Sequence, residues 1–508
     1  MKLKLAIMSL ISCIPFGASA QIDKEMEEFD AFVRQQQKEF DDFVTEQNRE
    51  FAKFLKETWK EYDLQKPVKR PQKPEPVKPV NFDKTKPTGK PQEIKVGTIT
   101  RLPIPEVTPS ATFPVSPEKQ SVPVIKDNQK PVIKDFPVPG EKEQVKPART
   151  GIEFSFYGEK CIVDGSLKNK LHLKGITEKN ISEGWEFLSR SSYQSLVAGC
   201  LSIKEGNHLN DYGFLLLTKQ VATELCGRNS PDEVTLMQMF VLCQLGYKVK
   251  IVRIENHLGL FYASDNMIYA TPYLTLNGIK YFKFDTTGNN SNSIYTYNRD
   301  FANADNKIRM NLGQSQLFAG TSIKKTLQSK AYPSIKVESE VNSELISFYK
   351  NYPQCDFSVY VGAPVSKEIQ QTVLPPLQNA IQGKTQAEAA NMLINFVQTA
   401  FAYKTDGDQF GYEKPFFVDE LFYYPYSDCE DRAVLFSYLV RTLMRLDVVL
   451  LEYPNHMATA IHFNENVNGD YVMVEGAKYI ICDPTYIGAS IGHAMPQFKS
   501  IVGKVLKY

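Results

Sequence analysis

The first regular pattern of apolar and polar positions is an 11-residue repeat over residues 24–62, in which a Glu-Phe pair recurs at 28–29, 39–40 and 50–51. Eleven residues fill about three helical turns, so the aromatic side chains stay on one face of a single helix. The sequence therefore predicts a long amphipathic helix over residues 21–65. Its apolar face needs a partner, and the alternatives are a second copy, the globular part of the chain and an envelope surface. That face comprises Phe29, Phe32, Phe40, Phe43, Phe51, Phe54, Trp59 and Tyr62.

Residues 66–150 lose this periodicity. They contain 17 of the 30 prolines and few aromatic residues, and the sequence Pro-Val-Ile-Lys-Asp occurs at 123–127 and again at 131–135. Such a composition favours an extended chain without a core. We therefore predict a disordered linker rich in proline and lysine.

From residue 151 the pattern is that of a globular protein, and the last third carries one chemical arrangement. Cys429 begins an apolar helical segment, His456 begins a later strand segment, and Asp483 ends another. A thiol, an imidazole and a carboxylate suit nucleophilic acyl transfer, because the thiolate attacks a carbonyl, the imidazole moves the proton and the carboxylate orients the imidazole. A helix N-terminus also favours the thiolate form of a cysteine. We predict that these three residues are catalytic.

The same residues carry a family resemblance. Asp-Cys-Glu-Asp-Arg-Ala at 428–433, His-Met-Ala-Thr-Ala at 456–460 and Cys-Asp-Pro-Thr-Tyr at 482–486 together resemble the transglutaminase-like superfamily of cysteine acyl-transfer enzymes. The resemblance covers roughly residues 336–508. It implies an α+β, papain-like fold of helices packed on an antiparallel sheet, with Cys429 as nucleophile, His456 as base and Asp483 as orienting acid. In bacteria, members of this superfamily are more often proteases than cross-linkers.

The arrangement of the last third has a counterpart earlier in the chain. Ser230 matches Cys429, His257 matches His456, and Asp285 matches Asp483; the first intervals are both 27 residues, and the second are 28 and 27. We therefore predict a tandem duplication, with transglutaminase-like units at about 151–310 and 335–508. The earlier unit has serine in place of the thiol and lacks most of the stretch that matches 403–426. We expect it to be a degenerate unit kept for binding or support.

Acyl transfer also needs hydrogen-bond donors for the oxyanion. The backbone N–H of Cys429 is one candidate. The side chain of Gln409 is the other, because papain-like enzymes use a glutamine in this way. Glu430 and Asp431 lie in the first helical turn, where the helix dipole favours carboxylates, so we expect them to cap the helix or to pair with Arg432.

Composition and the N-terminus restrict the setting. The formal net charge of +1 gives no argument for binding nucleic acid. Residues 1–20 combine two lysines, an apolar run and a final Ala-Ser-Ala, which predicts a signal peptide and export to the periplasm, cell surface or medium. Lipid anchoring at Cys13 is the less favoured alternative. No Cys-x-x-Cys pair indicates structural zinc, and we predict no metal ion and no cofactor.

These patterns leave three functions open. The first is an exported cysteine hydrolase that cleaves peptide or isopeptide bonds in a protein or peptide substrate. The second is a cross-linking transglutaminase, in which an amine resolves the thioester in place of water. The third is an envelope-binding protein without catalysis, in which the early unit and the aromatic helix act; self-association or envelope docking through residues 24–62 belongs to this hypothesis.

Overall fold

The computed structural model describes residues 31–32, 35, 39, 42–70, 76–83, 85, 90–102, 151–284 and 293–508. The predicted signal peptide with Cys13, residues 103–150 of the predicted linker and Asp285 lie outside these residues. Helices and mostly antiparallel sheets form the described part, so the α+β fold class is confirmed. In the described part of the chain, no helix is both long and apolar enough to cross a membrane.

The helices are 42–55 (α1), Glu178–Ser189 (α2), Gln194–Gly206 (α3), Asp211–Cys226 (α4), Pro231–Gln244 (α5), Ser343–Lys350 (α6), Phe357–Val361 (α7), Lys367–Ile381 (α8), Gln386–Ala400 (α9), Asp406–Phe410 (α10), Val418–Tyr423 (α11) and Cys429–Leu439 (α12). A π-helix, Val440–Met444, continues α12, and Pro496–Phe498 form a 3-10 turn. The strands are Lys60–Asp63 (β1), Val96–Arg101 (β2), Gly151–Phe156 (β3), Glu159–Asp164 (β4), Val249–Ile254 (β5), His257–Ala263 (β6), Tyr273–Leu276 (β7), Ile279–Lys283 (β8), Ser293–Thr296 (β9), Ser322–Gln328 (β10), Lys336–Asn342 (β11), Ala402–Tyr403 (β12), Tyr426–Ser427 (β13), Asp447–Tyr453 (β14), His456–His462 (β15), Tyr471–Val474 (β16), Ala477–Cys482 (β17) and Gly503–Lys507 (β18).

Two six-stranded sheets dominate the architecture. One has the order β1-β9-β5-β6-β8-β7 and the other, read in the same direction, β2-β18-β14-β15-β17-β16. The strands correspond one to one, and every neighbouring pair is antiparallel except β18 and β2, which are parallel. Helix α5 packs on β5 and β6, and α12 packs on β14 and β15. The two halves therefore share one arrangement of a helix on a sheet.

The N-terminal helix docks on the first sheet's half of the molecule. Phe51 is buried, with its ring centroid 4.9 Å from that of Trp185 and 5.3 Å from that of Phe301. Asn48 also accepts a hydrogen bond from Trp185 Nε1 at 3.1 Å. Of the three partners considered for the aromatic face, the globular part of the chain buries Phe51, whereas Phe32 and Phe43 are exposed. The helix ends before residue 65, because residues 60–63 form β1 and pair with β9.

The predicted linker is structured where it is described. Ile94 is 1% exposed, and β2 forms the edge of the second sheet beside β18. The prediction of a disordered segment over 66–150 is therefore wrong for residues 90–102. Only Ile94, Lys95 and Val96 alternate as in a strand before the phase shifts at Ile99, and the surrounding prolines concealed this short signal.

The main core is continuous from α1 through the helices of both halves and includes the starting residue of α12, Cys429. The opposite face of each sheet is covered by a smaller apolar cluster. Behind the second sheet this cluster includes Phe82, Ile94 and Val96 from the N-terminal segment, and behind the first it includes Tyr62 and Leu64. The N-terminal segment therefore covers both sheets on the side away from the helices.

Candidate active site

Helix α12 begins at the predicted nucleophile, and a network of carboxylates fixes its first turn. Asp428 is the N-cap and accepts hydrogen bonds from the backbone N–H groups of Glu430 at 3.1 Å and Asp431 at 3.4 Å. Asp431 in turn accepts the N–H of Asp428 at 3.2 Å, which completes a capping box. Cys429, the first helical residue, is 4% exposed. The thiol is therefore buried at a tightly capped helix N-terminus.

The imidazole of His456 and the carboxylate of Asp483 are in direct contact. Nε2 of His456 lies 2.8 Å from Oδ2 of Asp483, and the two side chains are 0% and 2% exposed. The other oxygen of Asp483 accepts the N–H of Thr485 at 2.9 Å, which holds the carboxylate in place. The ring of Phe498 stacks on the imidazole with centroids 4.7 Å apart. Nε2 of His456 therefore interacts with Asp483. The buried Nδ1 makes no hydrogen bond within the described residues.

The fold explains how the two parts of the site approach each other. Strand β15 begins at His456 and packs under α12, which begins at Cys429. Asp483 follows β17, whose last residue, Cys482, pairs with Thr459 in the middle of β15. The helix that begins at Cys429 and the strand that begins at His456 are therefore packed against each other, and Asp483 contacts His456 directly. The meeting of the thiol with the imidazole stays a prediction.

Tyr403 marks the other wall of this region. Strand β12 pairs in parallel with β13, so Tyr403 lies beside Ser427, two residues before the nucleophile. Burial, followed by the negative charge of a Cys429 thiolate, raises the pKa of Tyr403, which places its hydroxyl in the electrostatic field of the sulfur. The guanidinium of Arg432 faces the tyrosine ring at 5.2 Å.

Arg432 does not take the partners expected from the sequence. Its side chain is 1% exposed and donates to Ser427 Oγ at 3.3 Å and to the carbonyls of Gln398 at 3.4 Å and Phe401 at 2.7 Å. Burial lowers the pKa of Arg432 to about 10. Asp431 therefore caps the helix, as expected. Arg432 instead connects α12 to α9 and to Phe401, the residue before β12.

Beneath the nucleophile lies an acidic cluster that the sequence analysis missed. One side-chain oxygen from each of Asp406, Glu413 and Glu430 lies within 4.8 Å of the others, a spacing that could hold a metal ion. Burial, together with the charges of Asp428 and Glu430, raises the pKa of Asp406. The only sequence signal is the density of Asp and Glu in residues 406–431, and it does not specify which carboxylates meet.

Gln409 lies on α10, the short helix that begins with Asp406 of the acidic cluster. Its backbone N–H donates to Thr405 at 3.0 Å, and its side-chain Oε1 is buried without a hydrogen bond in the described part of the chain. Glu430 belongs to the same cluster and follows the nucleophile directly. The helix of Gln409 therefore meets the first turn of α12 through Asp406 and Glu430. The oxyanion role of Gln409 stays a prediction.

The counterpart site in the first half is different. Ser230 is the N-cap of α5, but its side chain makes no capping hydrogen bond. The side chain of His257 is 63% exposed, with Nδ1 3.7 Å from Asp232, while Asp285 lies outside the described residues. In the described part of the first half, no buried imidazole–carboxylate pair corresponds to His456 and Asp483.

The seven cysteines of the described residues form no disulfide. Cys482 is completely buried, and burial raises the pKa of its thiol, so it packs as an apolar residue. Comparison with known proteins finds no matching family model, no matching curated protein and no matching solved structure.

Proposed function

We propose that this protein is a cysteine acyl-transfer enzyme that hydrolyses peptide or isopeptide bonds, with Cys429, His456 and Asp483 as its catalytic triad. The observation that carries the proposal is the buried 2.8 Å contact between His456 and Asp483 at the start of the strand that packs under the helix of Cys429. Because Nε2 of His456 is held by the carboxylate, Nδ1 is the ring nitrogen left to exchange a proton with a thiol.

The reaction proceeds in two steps. The Cys429 thiol gives its proton to His456 Nδ1, and the sulfur attacks the carbonyl carbon of the scissile amide. The imidazolium returns that proton to the departing amine, and a thioester forms. Water, deprotonated by His456, then attacks the thioester, which releases the carboxylic acid and regenerates the thiol. The backbone N–H of Cys429 and the side chain of Gln409 are the proposed oxyanion donors.

The strand order supports a further part of the proposal, that the two halves are tandem transglutaminase-like units at about 151–310 and 335–508. In this view the first unit is degenerate, since Ser230 stands in place of the nucleophile and His257 is exposed. Its role is support or binding. The signal-like residues 1–20 favour export of the whole protein.

Alkylation of the full chain with iodoacetamide at pH 6 tests the proposal, with labelled cysteines identified by mass spectrometry. We expect Cys429 to react faster than the other thiols, and we expect His456→Ala to abolish the preference. Cys482→Ser is the matched control and should leave the rate at Cys429 unchanged. A rate at Cys429 that is the same with and without His456 would overturn the catalytic assignment.

An amine probe separates hydrolysis from cross-linking. Incubation of a peptide library with the protein and dansylcadaverine yields shortened peptides if water resolves the thioester and dansylated glutamine if the amine does. We expect shortened peptides, and none with Cys429→Ala. Dansylation as the main product would show that cross-linking, the alternative enzyme function, is correct.

A further inference from the structure

Residues 76–83, which we call the strap, cross the second half of the molecule next to the proposed triad. The main-chain N–H and carbonyl of Val77 both form hydrogen bonds to the second half. Its N–H donates to the carbonyl of Asn455 at 3.1 Å, and its own carbonyl accepts from the hydroxyl of Tyr403 at 3.1 Å. Asn455 directly precedes His456, and Tyr403 pairs with Ser427, two residues before Cys429. Val77 therefore bridges the imidazole wall and the thiol wall of the site.

The far end of the strap is anchored beside the third member of the triad. Phe82 donates its N–H to the carbonyl of Ile487 at 2.8 Å, and Ile487 donates to the carbonyl of Val80 at 2.9 Å. The Phe82 ring also meets Tyr486 with centroids 5.4 Å apart. Ile487 and Tyr486 belong to the loop that follows Asp483. The strap thus contacts the segments that carry His456 and Asp483, and it contacts Tyr403, which pairs with Ser427 two residues before Cys429.

These contacts have the character of peptide binding by an enzyme groove. They are main-chain hydrogen bonds of a segment with neither helix nor turn, as when an extended peptide lies along a sheet edge. Pro76 and Pro79 limit the backbone freedom of the segment, which lowers the entropic cost of holding it extended. The side chain of Lys78 is exposed to solvent, so the groove does not need to accommodate it.

Burial of the triad completes the argument. Cys429 is 4% exposed, and the side chains of His456 and Asp483 are 0% and 2% exposed. An acyl-transfer enzyme needs the sulfur within reach of a substrate carbonyl. In the described arrangement the side chains of the proposed triad present almost no surface to solvent.

We infer that the groove between Tyr403, Asn455 and Ile487 binds an extended polypeptide substrate through its main chain, and that the strap occupies this groove and inhibits the enzyme. This inference rests on the proposed function. The substrate class is therefore an extended or unfolded segment of a protein, and substrate competes with residues 76–83 for the same hydrogen bonds.

The test measures the alkylation rate of Cys429 in the full chain, before and after the strap is weakened. Val77→Pro removes the N–H bonded to Asn455, and Phe82→Ala removes the ring on Tyr486. We expect the double variant to react at least about tenfold faster, because a hydrogen bond and an aromatic contact that hold the closed state are lost. Lys78→Ala, in the same segment but exposed, is the matched control and should not change the rate.

A peptide added in trans tests occupancy of the groove directly. The peptide Pro-Val-Lys-Pro-Val-Asn-Phe-Asp should slow alkylation of the opened double variant, and a scrambled peptide should not. If the unmodified protein already reacts as fast as the double variant and the reaction depends on His456, the strap inference is overturned and the proposed function stands. If the double variant reacts faster but His456→Ala has no effect on it, the strap does shield Cys429, but the catalytic assignment fails and the inhibition of an enzyme fails with it.

Discussion

The two halves differ in the pKa values of their buried carboxyl groups. In the first half, burial would raise the pKa values of Asp211 and Asp300, but Lys204 and Lys250 pair with them and hold both pKa values below the usual range. In the second half, burial raises the pKa of Asp419 to about 7 and also raises that of Asp431. The buried acids named in the first half are thus paired with lysines, whereas those in the second half have raised pKa values, and one of them, Asp431, lies two residues after Cys429.

This difference favours the second half as the location of the proposed function. A buried acid with a matched lysine stabilises a fold, whereas acids that are crowded together with raised pKa values cost stability and cluster at functional sites. The second half also has the buried histidine–aspartate pair, while the matching His257 of the first half is largely exposed. Four pairs of substitutions, each with one residue in either half, test whether the halves differ in this way.

The largest effect is expected from Cys429, the first residue of α12, compared with its predicted counterpart Ser230, which is the N-cap of α5. Cys429→Ala should lower kcat/KM for peptide hydrolysis by at least about 10⁴-fold, because the covalent step is lost. Ser230→Cys, which places a thiol at the counterpart position, should add no activity, since His257 is exposed. Activity of Cys429→Ala above the background rate would assign catalysis to another group.

The second effect concerns the orienting carboxylate. Asp483→Asn should lower kcat by about 10³- to 10⁴-fold with little change in KM, because an amide cannot hold the imidazole tautomer or stabilise the imidazolium. Asp232→Asn, which alters the acid near His257, is the control and should leave kcat unchanged. Equal losses in both variants would mean that the two halves contribute equally to catalysis.

The third effect is a stability difference that depends on pH. The pKa of Asp419 is raised by burial from 3.8 to about 7, so its deprotonation in the folded state is unfavourable and stability falls as pH rises through this window. Asp419→Asn should remove a penalty of roughly 4 kcal/mol at pH 8 and change little at pH 4. Urea unfolding at the two pH values measures this.

The first half provides the opposite control for that measurement. The pKa of Asp211 is lowered, so its contribution is present above pH 3.8 and is lost as pH falls. Asp211→Asn should therefore destabilise the protein at pH 8, with a smaller effect in acid. The same sign of change for both variants at pH 8 would contradict the comparison.

The smallest effect compares the two N-caps. Asp428→Ala should destabilise the protein by about 1–2 kcal/mol, because Asp428 accepts the N–H groups of Glu430 and Asp431. Ser230→Ala should cost less than about 0.5 kcal/mol, because the Ser230 side chain makes no capping bond. Thermal unfolding resolves the two values, and equal losses would indicate that the caps are equivalent.

The sequence supported prediction of the features that have a local or repeated signature. The apolar pattern located the helix that begins at Cys429, and the equal intervals to His456 and His257 each span a helix and the first strand of a hairpin, although the lengths of these elements differ between the halves. Other features depend on long-range contacts that leave no local pattern. The hydrogen bonds of Val77 use its main chain, so no side-chain motif indicates them. The meeting of Asp406 with Glu430 likewise depends on how α10 is placed against α12.

Strand β2 and the adjoining strap have a practical consequence for the preparation of shorter versions of the protein. A fragment that starts at residue 335 would leave the row of main-chain donors and acceptors of β18 that faces β2 without its partner, and such open edges recruit other strands. The same truncation would expose the groove beside Cys429. A shortened protein that begins at 335 should therefore precipitate while being more reactive, and supplying residues 76–102 as a separate chain should restore its solubility and quench its reactivity together.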